Sequence, residues 1–164
     1  MGKDNQNLNK ENKAPAGVVH VLLSNSYIIF FFSVVLGVIF DALFPIRVFN
    51  GIAYEYVGLF MIIVGSYIVY WAQSATSTTN LTDKRDINFF LKGPYKYTRN
   101  PTNFGLTLTV LGLGFLINSL FIVIFILIVY AISKLIFIKK QDVILEEKYG
   151  DVFREYKRTV KDWL

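Results

Sequence analysis

The chain has no cysteine and a single histidine, His20, which closes off disulfides, zinc fingers, iron–sulfur ligation and Cys–His nucleophiles. Charged residues are sparse, at 18% of 164 positions, and proline occurs only four times. Any catalysis must therefore run on Arg, Lys, Tyr, Asn, Asp and Glu, and neither a metal nor a nucleic acid is expected as a partner. What is abundant is apolar. Hydrophobic residues make up 54% of the chain and the mean hydropathy is +0.45, too apolar for a soluble domain of this length. The expected fold is all-α, an integral membrane helical protein of one domain.

Four apolar segments stand out, at about 27–44, 52–71, 103–117 and 119–138, against a requirement of about 20 residues to cross the hydrocarbon core. The third reaches the lower limit only if 99–101 forms its opening turn. Asn118-Ser119 is the sole polar break between the third and fourth segments, so these two should form a tight antiparallel hairpin.

The distribution of Lys and Arg orients this layout. The first connection has only Arg47, the second has Lys84, Arg85, Lys92, Lys96 and Arg99, the third has none, and seven follow from Lys139 onward. Four spans with both termini and the long loop in the cytoplasm satisfy every count. Residues 1–16 are polar and Asn/Lys-rich without a cleavage-site pattern, and read as a disordered tail, not a signal peptide or lipid-anchored terminus. Residues 17–164 form the domain. Asp41, Glu55 and Lys134 lie where a charge can reach the interface. His20, in the apolar stretch 18–23 expected along the membrane surface before the first span, is given no role.

Past residue 138 the chain is strongly charged, yet Leu145, Tyr149, Val152, Phe153, Tyr156, Val160 and Trp163 recur at spacings of three and four. This marks an amphipathic helical tail, divided into two helices at Gly150. Its first part, extending the fourth span into the cytoplasm, places Gln141 and Asp142 beside the loop around Arg99.

That loop is Gly93-Pro94-Tyr95-Lys96-Tyr97-Thr98-Arg99-Asn100-Pro101-Thr102-Asn103-Phe104-Gly105. Arg99 brings a permanent charge and five donors, Asn100 suits a helix N-cap, and Pro101 suits the first helical turn. A helix N-terminus opening here attracts anionic groups. The plainest reading is that Lys92, Lys96 and Arg99 meet lipid phosphates while Tyr95 and Tyr97 join an interfacial aromatic belt.

Together, the loop and the tail resemble the superfamily of isoprenylcysteine carboxyl methyltransferases and phospholipid methyltransferases. Its pattern is a Gly-Pro-Tyr-Arg-Tyr-like lead, Arg-His-Pro-x-Tyr-x-Gly, a helical hairpin, and a Glu-Glu pair followed by Leu, Phe-Gly and Tyr-x-x-Tyr. Here the lead is Gly93-Pro94-Tyr95-Lys96-Tyr97, followed by Arg99-Asn100-Pro101-Thr102-Asn103-Phe104-Gly105, and the tail carries Gln141-Asp142, Leu145, Tyr149-Gly150, Phe153 and Tyr156. Asn100 stands where many relatives have His, Asn103 where the motif has Tyr, and Gln141-Asp142 where it has Glu-Glu. The resemblance covers about 80–164 and implies a membrane methyltransferase using S-adenosylmethionine, with its cofactor-binding part in that half and a lipophilic acceptor among the membrane lipids.

Such a donor carries a carboxylate, an ammonium, ribose hydroxyls and a flat adenine. A pocket for it wants a cation or helix N-terminus, an acid, amides and an aromatic face. On the resemblance, Asn100, Pro101, Thr102 and Asn103, with Arg99, meet the carboxylate. Asp142 with Gln141 takes the ammonium or the ribose, and Tyr95 with Phe89, Phe90 and Leu91 flanks the adenosine. Arg99 and Asp142 are the expected catalytic pair. Methyl transfer is an in-line displacement at an already activated carbon, so positioning and exclusion of water supply most of the rate. Two other readings stay open. Sterol-reductase-like membrane proteins have a similar Arg-His-Pro-Asn-Tyr-Phe-Gly segment, which implies a nicotinamide cofactor, and a non-catalytic membrane protein would tolerate the substitutions at 103, 141 and 142.

Overall fold

The structure is a computed structural model and describes residues 15–48, 51–77 and 87–160. The tail expected at 1–16 falls mostly outside the described residues, as do Lys84, Arg85 and Trp163. Among the described residues all regular structure is helical. Helix α1 is Pro15–Leu43, α2 is Ala53–Ser77, α3 is Pro101–Leu116 and α4 is Leu120–Ile132. A π-helical segment, Ser133–Phe137, leads without a break into α5, Ile138–Tyr149, and α6 is Asp151–Thr159. Two short 3-10 turns, Ile87–Phe89 and Gly93–Lys96, lie in the loop before α3. The apolar stretch 18–23, expected along the membrane surface before the first span, belongs to the first turns of α1. Its backbone is helical straight into the apolar segment, and neither Gly nor Pro interrupts 18–36.

Two runs are long and apolar enough to cross a membrane, Ala53–Ala75 and Leu120–Glu147, and two further apolar helical stretches, Tyr27–Leu43 and Pro101–Leu116, are shorter. Their outward faces carry large apolar side chains such as Phe31, Phe60, Ile63, Leu127 and Leu135, as lipid contact requires.

Between α2 and α3 the closest contacts are made by small residues, because apolar side chains gain little by leaving lipid for one another. Helices α2 and α3 pack antiparallel with two glycine pairs seven residues apart. A Cβ on Gly58 would lie 2.6 Å from the Gly112 carbonyl oxygen, and one on Gly65 would lie 2.7 Å from that of Gly105. Hydroxyls within α3 are satisfied by its own backbone, Thr107 Oγ1 donating to the Asn103 carbonyl and Thr109 Oγ1 to that of Gly105. Helix α1 packs on α4 through Phe30, Ile122 and Ile126, with Phe40 against Phe121 and Phe125.

The expected hairpin closes through specific turn chemistry. Asn118 adopts φ +55°, its N–H bonds the Phe115 carbonyl, and the Ser119 N–H bonds that of Gly114, a Schellman termination of α3. Ser119 then caps α4, its side chain accepting from the Ile122 N–H. The loop after α1 docks on this turn: Arg47 Nη1 donates to the Ile117 carbonyl at 2.9 Å and lies 3.7 Å from Asp41 Oδ2. This end of the molecule is tied down by the docked loop.

Candidate functional site

Helix α3 opens where the sequence expects it. Pro101 is its first residue and Asn100 its N-cap, but the Asn100 side chain makes no capping hydrogen bond. The Asn100 backbone has φ −129° and ψ 56°, and only its carbonyl serves the helix, accepting from the Phe104 N–H. The first-turn N–H groups of Thr102 and Asn103 have no partner within the helix by its geometry, and Pro101 has none to offer. The side chains of Thr102 and Asn103 are buried. This is a partly positive helix end beneath the loop.

Over it lies the ion pair that joins the two motifs. Arg99 Nη1 donates to Asp142 Oδ2 at 2.7 Å, and the side chains are only 12% and 14% exposed. Arg99 Nε is buried with no hydrogen-bond partner, so the guanidinium has donor capacity left over in a place where unmet donors are costly. The reach of the fourth helical run explains how Asp142 arrives here. At 1.5 Å per residue, Asp142 stands about 33 Å along the axis from Leu120, just beyond a hydrocarbon core of about 30 Å. Gln141 is half-buried beside it.

Helix α6 covers this end. Its Phe153 and Tyr156, with Val160 just after it, are buried against Ile87, Phe90 and Leu91 of the loop and Leu145 and Tyr149 of α5. Phe90 stacks on Tyr156 at 5.2 Å and meets the edges of Tyr149 and Phe153 at 5.1 and 5.6 Å. Its ring is thus packed against three aromatics of the tail, and these contacts hold α6 on the loop. The side chain of Phe89 lies outside what the structure describes. The Tyr156 hydroxyl donates to the Tyr95 carbonyl at 2.8 Å, which fixes the Gly93–Lys96 turn from above. Burial pushes the Tyr149 phenol above its ordinary pKa and keeps it protonated at neutral pH. The tail aromatics therefore cover the loop before α3.

Beneath the loop, Gly93 takes φ +55°, a conformation that favours glycine. A Cβ there would also fall 2.7 Å from that of Ala75 on α2. Trp71, on the same helix, lies 6.3 Å from Tyr67 and 6.4 Å from Tyr97, and Lys96 Nζ sits 4.7 Å over the Tyr97 ring. Tyr67 and Tyr97 are exposed and form an aromatic ledge beside the site, of the kind found at membrane interfaces.

Sequence reasoning missed Lys157. Its Nζ lies 3.4 Å from Asp142 Oδ2, the oxygen that Arg99 also holds, and 3.8 Å from Glu146 Oε2. Arg154 completes the row, with Nε 2.8 Å from Glu146 Oε1 and Nη1 3.1 Å from Asp151 Oδ1. The only signal available was spacing: 142 and 146 share one face of α5, and 154 and 157 share one face of α6.

A family model described as phospholipid methyltransferase matches residues 54–152. The matched stretch runs from the first turn of α2 through Arg99 and Asp142 and ends five residues before Lys157. No curated protein and no solved structure matches the chain.

Proposed function

The chain belongs to the phospholipid methyltransferase family, and on that premise we propose that it is a multi-pass membrane enzyme that uses S-adenosylmethionine to methylate a lipophilic acceptor. The observation that carries the reading is the Arg99–Asp142 pair at 2.7 Å, which unites the loop and tail motifs at the N-terminus of α3.

The residues fit the cofactor. Its amino-acid end is a zwitterion, and the site offers a cation with an unused buried donor, Arg99 Nε, an acid, Asp142, and a helix end without a side-chain cap. Arg99 and the α3 N-terminus hold a carboxylate. Asp142, kept in place by Arg99, holds an ammonium, with Gln141 beside it. The Tyr95 turn, fixed by the Tyr156 hydroxyl, is the nearest candidate for the nucleoside, a role that the packing of Phe90 against α6 makes less suited to that ring. When bound, S-adenosylmethionine supplies a methyl carbon activated by a sulfonium.

This chain's contribution is position and dryness. Helix α6 and the aromatic cluster shield the polar end from bulk water, and the apolar flanks of α2 and α4 admit an acceptor sideways from the bilayer. A carboxylate acceptor needs little help from a base, whereas an amine must first lose a proton. Four spans, α1 to α4, with the site and both termini in the cytoplasm, agree with the placement of Lys and Arg. The family match favours methyl transfer over the nicotinamide reading.

Calorimetry on detergent-purified protein with S-adenosylmethionine and S-adenosylhomocysteine tests the proposal. Saturable binding of both is expected, and absence of binding at millimolar ligand overturns it. Methyl-labelled cofactor incubated with membranes containing the protein then identifies the acceptor.

A further inference from the structure

Asp142 Oδ2 faces two cations of different kinds. Arg99 reaches it at 2.7 Å from a side chain only 12% exposed, and Lys157 reaches it at 3.4 Å from one that is 41% exposed. The arginine is planar, shielded and part of the motif that leads into α3. The lysine is a point charge on a flexible stem, lies beyond the stretch matched by the family model, and has a second carboxylate, Glu146, 3.8 Å away. Glu146 is already held by Arg154 at 2.8 Å. Lys157 can therefore leave Asp142 without leaving a carboxylate unpaired, and retain Glu146 as it does so. Arg99 has no alternative acid among the ion pairs of the described residues.

An ammonium is also what Asp142 is expected to receive. We infer that Lys157 is a positioning residue that fills the ammonium position on Asp142 Oδ2 while the cofactor is away, and yields it to the cofactor's α-amino group. This rests on the proposed use of S-adenosylmethionine. The resident ammonium keeps the Asp142 carboxylate oriented in a site that would otherwise hold an acid with one partner, and it makes the exchange nearly even, one ammonium for another. It also ties cofactor arrival to the tail, because the group displaced belongs to α6.

The test compares two ligands on the full-length protein in detergent: S-adenosylhomocysteine, which carries the amino-acid end, and methylthioadenosine, the same nucleoside thioether without it. Replacing a half-exposed competitor, Lys157→Met, should tighten S-adenosylhomocysteine about two- to fivefold and leave methylthioadenosine unchanged. Lys157→Arg should restore the wild-type ratio of the two affinities. Lys157→Gln should behave as Lys157→Met, with unchanged thermal unfolding reporting an intact fold. Equal weakening of both ligands, or no change in either, overturns the inference and assigns Lys157 to tail docking alone. Failure of the wild type to bind either ligand instead removes the proposed function and this inference with it.

Discussion

Gly65 and Gly105 face each other across α2 and α3 so closely that a side chain on either would strike the other's backbone. A Cβ on Gly65 would lie 2.7 Å from the Gly105 carbonyl oxygen, and one on Gly105 would lie 2.9 Å from that of Gly65. Gly105 is one turn into the helix whose N-terminus carries Arg99, so this contact sets the height and tilt of the site's floor.

Gly65→Val and Gly105→Val should each destabilise the protein by about 1–3 kcal/mol through overpacking. The readout is a lower midpoint of thermal unfolding in detergent. Cofactor affinity should fall as well, since the α3 terminus cannot keep its place when α2 is pushed away.

Arg99→Ala and Asp142→Ala should each reduce S-adenosylhomocysteine affinity about ten- to hundredfold, the range for losing a hydrogen bond to a charged group. The double variant should lose far less than the product of the two, because each single change breaks the same ion pair. Additive losses in calorimetry would mean that the two residues act separately and that the ion pair is incidental.

Tail docking separates into a large apolar part and a small polar part. Phe153→Ala should cost about 3–5 kcal/mol of local packing and expose the tail to limited proteolysis after α5. Tyr156→Phe removes only the bond to the Tyr95 carbonyl, about 0.5–1.5 kcal/mol, and should leave proteolysis nearly unchanged while loosening ligand binding several-fold. Cleavage rates and affinities measured on the same preparations distinguish the two.

At the opposite end, Asn118→Val places a β-branched residue at φ +55° and should cost about 1–2 kcal/mol. Arg47→Ala releases the loop that follows α1 from the hairpin turn. Both should lower the unfolding midpoint and leave cofactor affinity intact, because the disturbance is a full helix length from Arg99.

Local signals made much of this arrangement legible in the sequence. Asn118-Ser119 announced a turn because Asn tolerates the left-handed conformation and Ser caps the next helix. The division of the tail at Gly150, which takes φ +56°, followed from a glycine amid an apolar stripe. The approach of Asp142 to Arg99 came from helix length and motif order together. Three features were hidden for physical reasons. The glycine pairs of α2 and α3 depend on which faces meet across two spans, which no local pattern encodes. Phe90 looked available because loop aromatics are often exposed, and only the tertiary fold brings α6 against it. Lys157 was one of several cations on a short helix, and its partner is set by the angle between α5 and α6.

The π-helical segment Ser133–Phe137, where the Ile138 N–H bonds back to the Ser133 carbonyl, gives the long fourth run two independent phases. Such a segment accommodates a residue beyond the α-helical repeat, advancing every later side chain by about 100° around the axis. The portion before it is clocked by its packing on α1, and the portion after it by the ion pairs of Asp142 and Glu146. A one-residue deletion within 133–137 would leave the membrane portion in phase and swing Asp142 away from Arg99. The bilayer-facing and water-facing demands on a single helix are thereby free to diverge without compromising each other.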